Sequence, residues 1–174
     1  MKAAEKLKAA IRDIPDFPKK GIIFKDITPL LQDARLFSET IEALAACCRD
    51  KPIDAIACVE ARGFVFGAVL AHTLNVGLVL IRKKGKLPYA THQVSYDLEY
   101  GTDTLEVHQD AVKAGASVLV VDDVLATGGT IAAVYRLMEK LEAKVAGALF
   151  LIELSFLHGR EKIKKYPVEA VITY

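Results

Sequence analysis

Two adjacent carboxylates and a glycine-containing turn follow one apolar stretch of the chain. The stretch Val118-Leu-Val-Val121 predicts a buried strand, and Asp122 and Asp123 come directly after it. The next segment, Ala126-Thr-Gly-Gly-Thr130, predicts the start of a helix, where unpaired backbone N–H groups and the helix dipole bind phosphate. The two glycines let the backbone approach a ligand closely, and the two threonines offer hydroxyl donors. This spacing predicts a phosphate cradle beside a pair of acids.

The two acids restrict what this cradle can hold. A bare phosphate would be repelled by Asp122 and Asp123, whereas the hydroxyls of a phosphorylated sugar can donate hydrogen bonds to them. Magnesium on a diphosphate would also tolerate nearby carboxylates. The segment has neither the Gly-Lys-Ser/Thr of a P-loop nor the Gly-x-Gly-x-x-Gly of a dinucleotide site. The alternative is a capped helix with acids that serve no ligand.

Basic and glycine-containing loops follow two other apolar stretches. They are Glu60-Ala-Arg-Gly-Phe64 and Arg82-Lys-Lys-Gly-Lys86. A guanidinium fork beside open backbone suits an anion, although either loop alone could be a solvated strand end. If the strands are parallel, the loops meet the Asp122 segment at one edge and converge on a polyanion. The candidate diphosphate contacts are Arg62, Gly63, Arg82 and Lys86.

Strands and helices alternate along most of the chain. Continuous apolar runs predict buried strands at residues 55–59, 76–81, 118–121, 145–152 and 168–172. Apolar residues at helical spacing predict helices at residues 2–13, 36–49, 64–74 and 129–141. This alternation predicts an α/β fold with a central, mostly parallel sheet flanked by helices.

A long polar insertion, residues 87–109, separates two of the predicted strands. Loops of this length are often lids over active sites. Within it, Glu99 is a carboxylate suited to proton transfer with a base, and Tyr100 could close over the reacting centre. The alternative for Glu99 is an ordinary surface carboxylate. Alternating residues at 94–98 and 104–107 predict half-exposed strands.

Length and composition limit the class of protein. With 174 residues, 52% hydrophobic and 26% charged, the chain predicts one globular domain. The net charge of +1 gives no reason to expect a nucleic acid or a membrane as partner. Three cysteines without metal or disulfide spacing, and no signal peptide or long apolar run, predict a cytoplasmic protein.

The acid and glycine stretch resembles the phosphoribosyl diphosphate motif of type I phosphoribosyltransferases. From Ile14-Pro-Asp-Phe-Pro onward the chain is similar to the adenine phosphoribosyltransferase family. The resemblance implies the type I fold in a single domain, 1–174, with a small N-terminal hood at about 1–34 and a flexible flap at about 83–109. Lys25 stands where many relatives have Arg, and Lys offers fewer fixed donors.

The resemblance also implies roles for named residues. The catalytic group is Glu99, Tyr100 and Arg62, and pyrophosphate is bound by Arg62, Gly63, Arg82 and Lys86. Ribose and phosphate are bound by Asp122, Asp123, Ala126, Thr127, Gly128, Gly129 and Thr130. Adenine is bound by Ile23, Phe24 and Lys25.

The implied reaction is a pentosyl transfer in purine salvage. Adenine and phosphoribosyl diphosphate give AMP and pyrophosphate, with magnesium held through the substrate diphosphate and no direct protein ligand. The resemblance further implies a homodimer. Two alternatives stay open: a transferase for another base, and a regulator that binds phosphoribosyl diphosphate without turning it over.

Overall fold

The protein is built around one twisted, mostly parallel sheet. The computed structural model describes residues 3–97 and 101–174, without the side chains of Ala3 and Asp97. The strands are β1 (Arg12–Pro15), β2 (Ile23–Asp26), β3 (Ala55–Val59), β4 (Gly77–Lys83), β5 (Thr91–Asp97), β6 (Thr102–His108), β7 (Ser117–Leu125), β8 (Lys144–Glu153) and β9 (Val168–Thr173). The main sheet has the order β5-β6-β4-β3-β7-β8-β9. Its strands β4, β3, β7, β8 and β9 run parallel, which confirms the predicted fold class.

Helices cover both faces of this sheet. They are α1 (Ala3–Ala9), α2 (Thr28–Gln32), α3 (Ala34–Ala46), α4 (Arg62–Leu74), α5 (Gly129–Lys140) and α6 (Gly159–Lys162), and a 3-10 turn lies at Ser155–Leu157. One apolar cluster lies between the sheet and helices α1 to α4, and the other lies between the sheet and α5. Because both faces are covered, β3 is buried along its whole length, as its continuous apolar run predicted.

The N-terminal region differs from the sequence prediction. The predicted helix at 2–13 ends at Ala9, and Arg12–Pro15 pairs antiparallel with Ile23–Asp26. The helix predicted at 36–49 begins at Ala34, where the Asp33 side chain accepts hydrogen bonds from two backbone N–H groups. The small two-stranded sheet β1–β2 is the core of the hood. Both strands are short, and a short strand shows little periodicity of apolar residues in the sequence, so this pairing was not predicted.

The long insertion contains two paired strands of the main sheet. Strands β5 and β6 form an antiparallel hairpin that pairs with β4 through Arg82 and Lys83. Val94, Tyr96 and Leu105 of this hairpin are buried in the cluster beneath α5. The hairpin therefore extends the sheet. Movement of the segment stays a prediction.

No helix in the described part of the chain is long and apolar enough to cross a membrane.

Candidate active site

Asp122 and Asp123 lie inside strand β7 and not after its end. The strand continues to Leu125 because β8 pairs with it that far. Strand β3, in contrast, pairs with β7 only as far as Val121. The two acids therefore lie just beyond the β3 ladder, on the carboxyl edge of the sheet, where α4 begins. The strand predicted at 118–121 was too short at its C-terminal end, because adjacent carboxylates are uncommon within a buried strand.

The two carboxylates are largely shielded from solvent, and they lie near the same guanidinium group. Arg62 Nε lies 2.8 Å from Asp123 Oδ2, yet this N–H is not aimed at that oxygen, which is buried and accepts no hydrogen bond among the described residues. The backbone N–H of Asp123 donates to Asp122 Oδ1 at 2.9 Å. Burial and the neighbouring carboxylate raise the pKa of Asp122 well above its usual range. Burial also raises the pKa of Asp123, although Arg62 opposes that shift.

The start of α4 packs closely against the acids. A Cβ at Gly63 would lie 2.8 Å from Asp122 Oδ1 and 3.2 Å from the carbonyl oxygen of Val121. Only glycine fits at this distance without moving the carboxylate. Gly63 therefore lies behind the acids and does not line the cleft, while its neighbour Arg62 reaches into it. The Glu60–Ala61 peptide bond that precedes this turn is cis.

The predicted phosphate cradle forms a small pocket of its own. Residues 126–128 turn between β7 and α5, and Gly128 has a φ of +78°. A Cβ there would lie 2.4 Å from the carbonyl oxygen of Gly159. The pocket has a volume of about 70 Å³ and is lined by Ala126, Thr127, Gly128 and Thr130 among others. Gly129 is the first residue of α5. The sequence-predicted residues of the cradle are thus adjacent in space.

A larger cleft joins the cradle to the hood. Its volume is about 530 Å³, and it is lined by Ile23, Phe24 and Lys25 on one side and by Arg62, Asp122 and Asp123 on the other. Ala126 and Thr130 belong to both cavities. Hood, acids and cradle are therefore brought together, as expected from strands that end at one edge.

The basic loop is arranged differently from the prediction. Arg82 Nε and Nη2 donate to Glu60 at 3.1 Å and 3.3 Å, and Arg82 Nη1 donates to the carbonyl oxygen of Lys86 at 3.0 Å. Neither Arg82 nor Lys86 lines the cleft, whereas Lys83 does. Lys83 Nζ lies 3.1 Å from Asp103 Oδ2, and that carboxylate raises the pKa of Lys83. Sequence reasoning missed Lys83 because a run of four cations does not show which of them faces the ligand.

Lys25 is held by groups outside the cleft. Its Nζ lies 2.6 Å from Asp13 Oδ1 and 4.0 Å from the centre of the Tyr174 ring. The neighbouring Phe24 ring contacts Arg62 instead, whose guanidinium carbon lies 5.0 Å from the ring centre. The hood is thus tied to the body of the protein both through Arg62 and through Tyr174.

Several further residues line the cleft without a sequence signal. Leu154 and Leu157 follow β8, Glu60 follows β3, and the hairpin contributes Tyr96, Asp103 and Leu105. Apolar residues such as Leu154 resemble ordinary core residues until the fold brings them to the edge. Glu99 and Tyr100 lie outside the described residues, so their predicted roles stay predictions. Among the residues described, no group of three or more His, Cys, Asp or Glu side chains could hold a metal ion.

Comparison with known proteins gives the same result over nearly the whole chain. A family model described as "Phosphoribosyl transferase domain" matches residues 30–172. The adenine phosphoribosyltransferase of Roseiflexus sp. (strain RS-1) is 56% identical over 164 residues, which is 94% of this chain and 95% of that protein. The chain belongs to the adenine phosphoribosyltransferase family. The resemblance seen in the sequence is therefore confirmed, and the protein is an enzyme, a pentosyltransferase.

Solved structures of adenine phosphoribosyltransferases share the fold. The crystal structure of the enzyme from Thermoanaerobacter pseudethanolicus is 54% identical, with a TM-score of 0.96 and coverage of 98% of this chain and 99% of that one. The Saccharomyces cerevisiae enzyme, complexed with an imino-altritol bisphosphate and adenine, is 42% identical, with a TM-score of 0.92 and coverage of 97% and 98%. The type I phosphoribosyltransferase fold is thus common to all three chains.

Proposed function

We propose that the protein transfers the phosphoribosyl group of phosphoribosyl diphosphate to adenine, releasing AMP and pyrophosphate. The observation that carries the proposal is the single cleft of about 530 Å³ between the hood, the two acids and the phosphate cradle. These three parts match the three parts of AMP in order: base, ribose and phosphate. The yeast relative, whose structure holds adenine beside a bisphosphate, supports the choice of base.

In this proposal the acids bind the ribose. Asp123 Oδ2 is buried and has an ion pair with Arg62 but no hydrogen bond in the described part of the chain, so it can accept one from a ligand hydroxyl. The ribose hydroxyls would donate to Asp122 and Asp123, and their negative charge would favour a cation-like sugar in the transition state. The loop of residues 126–130 would hold the 5′-phosphate and so orient the reacting carbon.

The opposite end of the cleft would bind pyrophosphate. Arg62 and Lys83 line the cleft and would neutralise charge on the leaving group. Gly63 would contribute indirectly, by letting the start of α4 pack closely against Asp122. Arg82 and Lys86 belong to the same basic loop but do not line the cleft; in this proposal they support the loop, since Arg82 donates to Glu60 and to the carbonyl oxygen of Lys86. Magnesium bound to the diphosphate would supply further neutralisation, and the carboxylates in the cleft suit a cation that prefers oxygen ligands.

Adenine would lie beneath the hood. Ile23 and Phe24 give an apolar slot for a flat ring, and Leu154 and Leu157 line the same cleft across from them. The backbone near Ile23 would read the amino edge of the base. Lys25 would act here by positioning the hood, since its amine is engaged by Asp13 and Tyr174. Glu99 would manage the proton on the purine ring, and Tyr100 would help the flap exclude water.

We further propose that the enzyme is a homodimer. Leu78 and Leu80 of β4 are 41% and 40% exposed although they lie in the middle of the main sheet. Their partners Ile56 and Cys58 are buried beneath α4, so the two leucines continue an apolar face to the surface. A second copy of the chain would cover this face. A mass near 19.0 kDa in sedimentation equilibrium would contradict a dimer of this chain. A cytoplasmic location stays a prediction.

A panel of free bases tests the proposed function. Adenine, hypoxanthine, guanine, xanthine and orotate are each supplied with phosphoribosyl diphosphate, with magnesium or with a chelator. We expect nucleotide and pyrophosphate from adenine alone, and a large fall in rate without magnesium. Faster turnover of another base would replace adenine as the substrate. Binding of phosphoribosyl diphosphate without turnover of any base would favour the regulator.

A further inference from the structure

Glu106 is a buried carboxylate that the proposed reaction does not use. It lies in the middle of β6 and is only 2% exposed. Among the described residues it forms no ion pair, although a charge with so little solvent is costly unless other groups satisfy it. A buried acid in this position therefore needs a structural explanation.

The carboxylate is satisfied by the backbone of the basic loop. Lys86 N and Leu87 N both donate to Glu106 Oε1, at 3.0 Å and 2.9 Å, and Gln93 Nε2 donates to Oε2 at 3.4 Å. Burial raises the pKa of Glu106, but the backbone N–H groups of residues 85–87 lower it by more. The pKa of Glu106 therefore lies below its usual range. The group is an anion that holds one turn of the chain.

The same turn carries Lys83, the cation of this loop that lines the cleft. The carbonyl oxygen of Lys86 accepts from Arg82 Nη1 at 3.0 Å, and Arg82 also donates to Glu60. Glu60 in turn accepts from the backbone N–H of Lys83 at 3.1 Å. Two carboxylates, Glu60 at one end and Glu106 at the other, thus fix the loop. Only Glu60 lines the cleft, so Glu106 acts from behind it.

We propose that Glu106 is a positioning residue that holds the loop of residues 82–87 in the shape that binds pyrophosphate. This inference rests on the proposed function, which assigns that loop to pyrophosphate. Glu106 touches neither the base nor the sugar side of the cleft. Its removal therefore affects pyrophosphate and phosphoribosyl diphosphate, while the binding of AMP depends on the hood, the acids and the cradle.

The reverse reaction, from AMP and pyrophosphate, separates these effects. Glu106→Ala removes the acceptor of the Leu87 N–H and leaves the Lys86 N–H with only the carbonyl oxygen of Lys83. We expect the KM for pyrophosphate to rise about tenfold or more. We expect the KM for AMP to stay within about twofold. Glu106→Gln keeps a carbonyl oxygen for both N–H groups once the Gln93 amide turns over, so its KM for pyrophosphate should return most of the way to wild type.

Two further variants serve as controls. Val107→Ala makes a cavity on the other face of the same strand and should leave both KM values unchanged, although it lowers stability. Lys83→Ala removes the cation of this loop that lines the cleft and should raise the KM for pyrophosphate. If Glu106→Ala does not fold, Glu106→Asp, which pulls the carboxylate back from the loop, should show the same split between the two substrates.

Three outcomes would overturn the inference. If Lys83→Ala raises the KM for pyrophosphate and the Glu106 variants do not, Glu106 does not position the loop. If the Glu106 variants or Val107→Ala raise both KM values equally, the effect is general destabilisation. If Lys83→Ala has no effect, the loop does not bind pyrophosphate, and that part of the proposed function fails together with the inference.

Discussion

Asp122 and Asp123 are held in surroundings that oppose their charge. The two carboxylates lie side by side just beyond the last paired residues of β3 and β7, and Arg62 is the nearby cation. The pKa of each is raised, most strongly for Asp122, so ionisation of the pair costs folding free energy. We interpret this cost as the consequence of placing two acceptors where a sugar must bind.

The first prediction is that Asp122→Asn stabilises the protein while it impairs turnover. The amide oxygen still accepts from the backbone N–H of Asp123, and the repulsion between two carboxylates is lost. We expect the free energy of unfolding at neutral pH to rise by about 1 kcal/mol or more, or ~2–4 °C in Tm.

The pH dependence of this gain provides its control. When the pKa of a carboxyl is higher in the folded protein than in the unfolded chain, the protein keeps its full stability at pH values below the unfolded pKa. It loses stability as the pH rises through the folded pKa. The Tm difference between Asp122→Asn and wild type should therefore be largest at neutral pH and shrink toward acid. Asp123→Asn loses the partner of Arg62 and should gain less. A lower Tm for Asp122→Asn at neutral pH would contradict this description of the site.

The sequence predicted the position of those candidate site residues whose neighbours in the chain carry the signal. The acids follow a long apolar run within β7, and Arg62 and Gly129 begin the helices that come after strands, so local pattern predicted where they lie. Lys83 could not be singled out in this way, because four cations close together in the chain do not show which of them faces the ligand. Leu154 could not be found because the loop after β8 reaches the cleft only through tertiary packing. The ion pair between Arg82 and Glu60 is also tertiary, since it joins the loops after two neighbouring strands.

At the scale of elements, the hood depends on a few contacts with the body. Lys8 and Lys25 both lie 4.0 Å from the centre of the Tyr174 ring, one from helix α1 and the other from strand β2. Tyr174 itself is fixed, since its N–H donates to the carbonyl oxygen of Glu153 and its carbonyl oxygen accepts from Ser155. One aromatic ring thus connects α1, the hood sheet and the strand that leads to Leu154.

The second prediction is that Tyr174→Ala weakens the binding of adenine. Loss of two cation–π contacts should let β2 shift, and we expect the KM for adenine to rise about threefold or more. The KM for phosphoribosyl diphosphate should stay within about twofold, because the cradle and the basic loop are unaffected. Tyr174→Phe keeps the ring and should behave as wild type. Equal KM values for adenine in Tyr174→Ala and wild type would show that the hood is positioned by other contacts.

Elements with long apolar runs were predictable, and short paired segments were not. Strand β3 was predicted at its observed bounds, and β8, β9 and α5 were predicted to within one or two residues of theirs. The hood strands and α2 were missed, because four or five residues carry too little periodicity. The hairpin strands were predicted, but their place at the edge of the sheet depends on pairing with β4.

At the scale of the whole molecule, the topology explains why one edge holds every part of the site. Parallel strands β4, β3 and β7 end side by side, so the basic loop, the Arg62 turn and the acids are neighbours. The hood lies over this edge from the N-terminal side of the chain, and the hairpin lies beside it. The fold therefore brings an anion site, a sugar site and an apolar slot together at one edge of the sheet.

The measurement that tests the central claim most directly is AMP formation by Asp122→Asn/Asp123→Asn. Both changes keep the shape of the cleft and remove the carboxylates that we assign to the ribose. We predict a folded protein, with a Tm at least equal to wild type at neutral pH, that forms no AMP from adenine and phosphoribosyl diphosphate. Wild-type kinetics in this variant would contradict the assignment of the cleft.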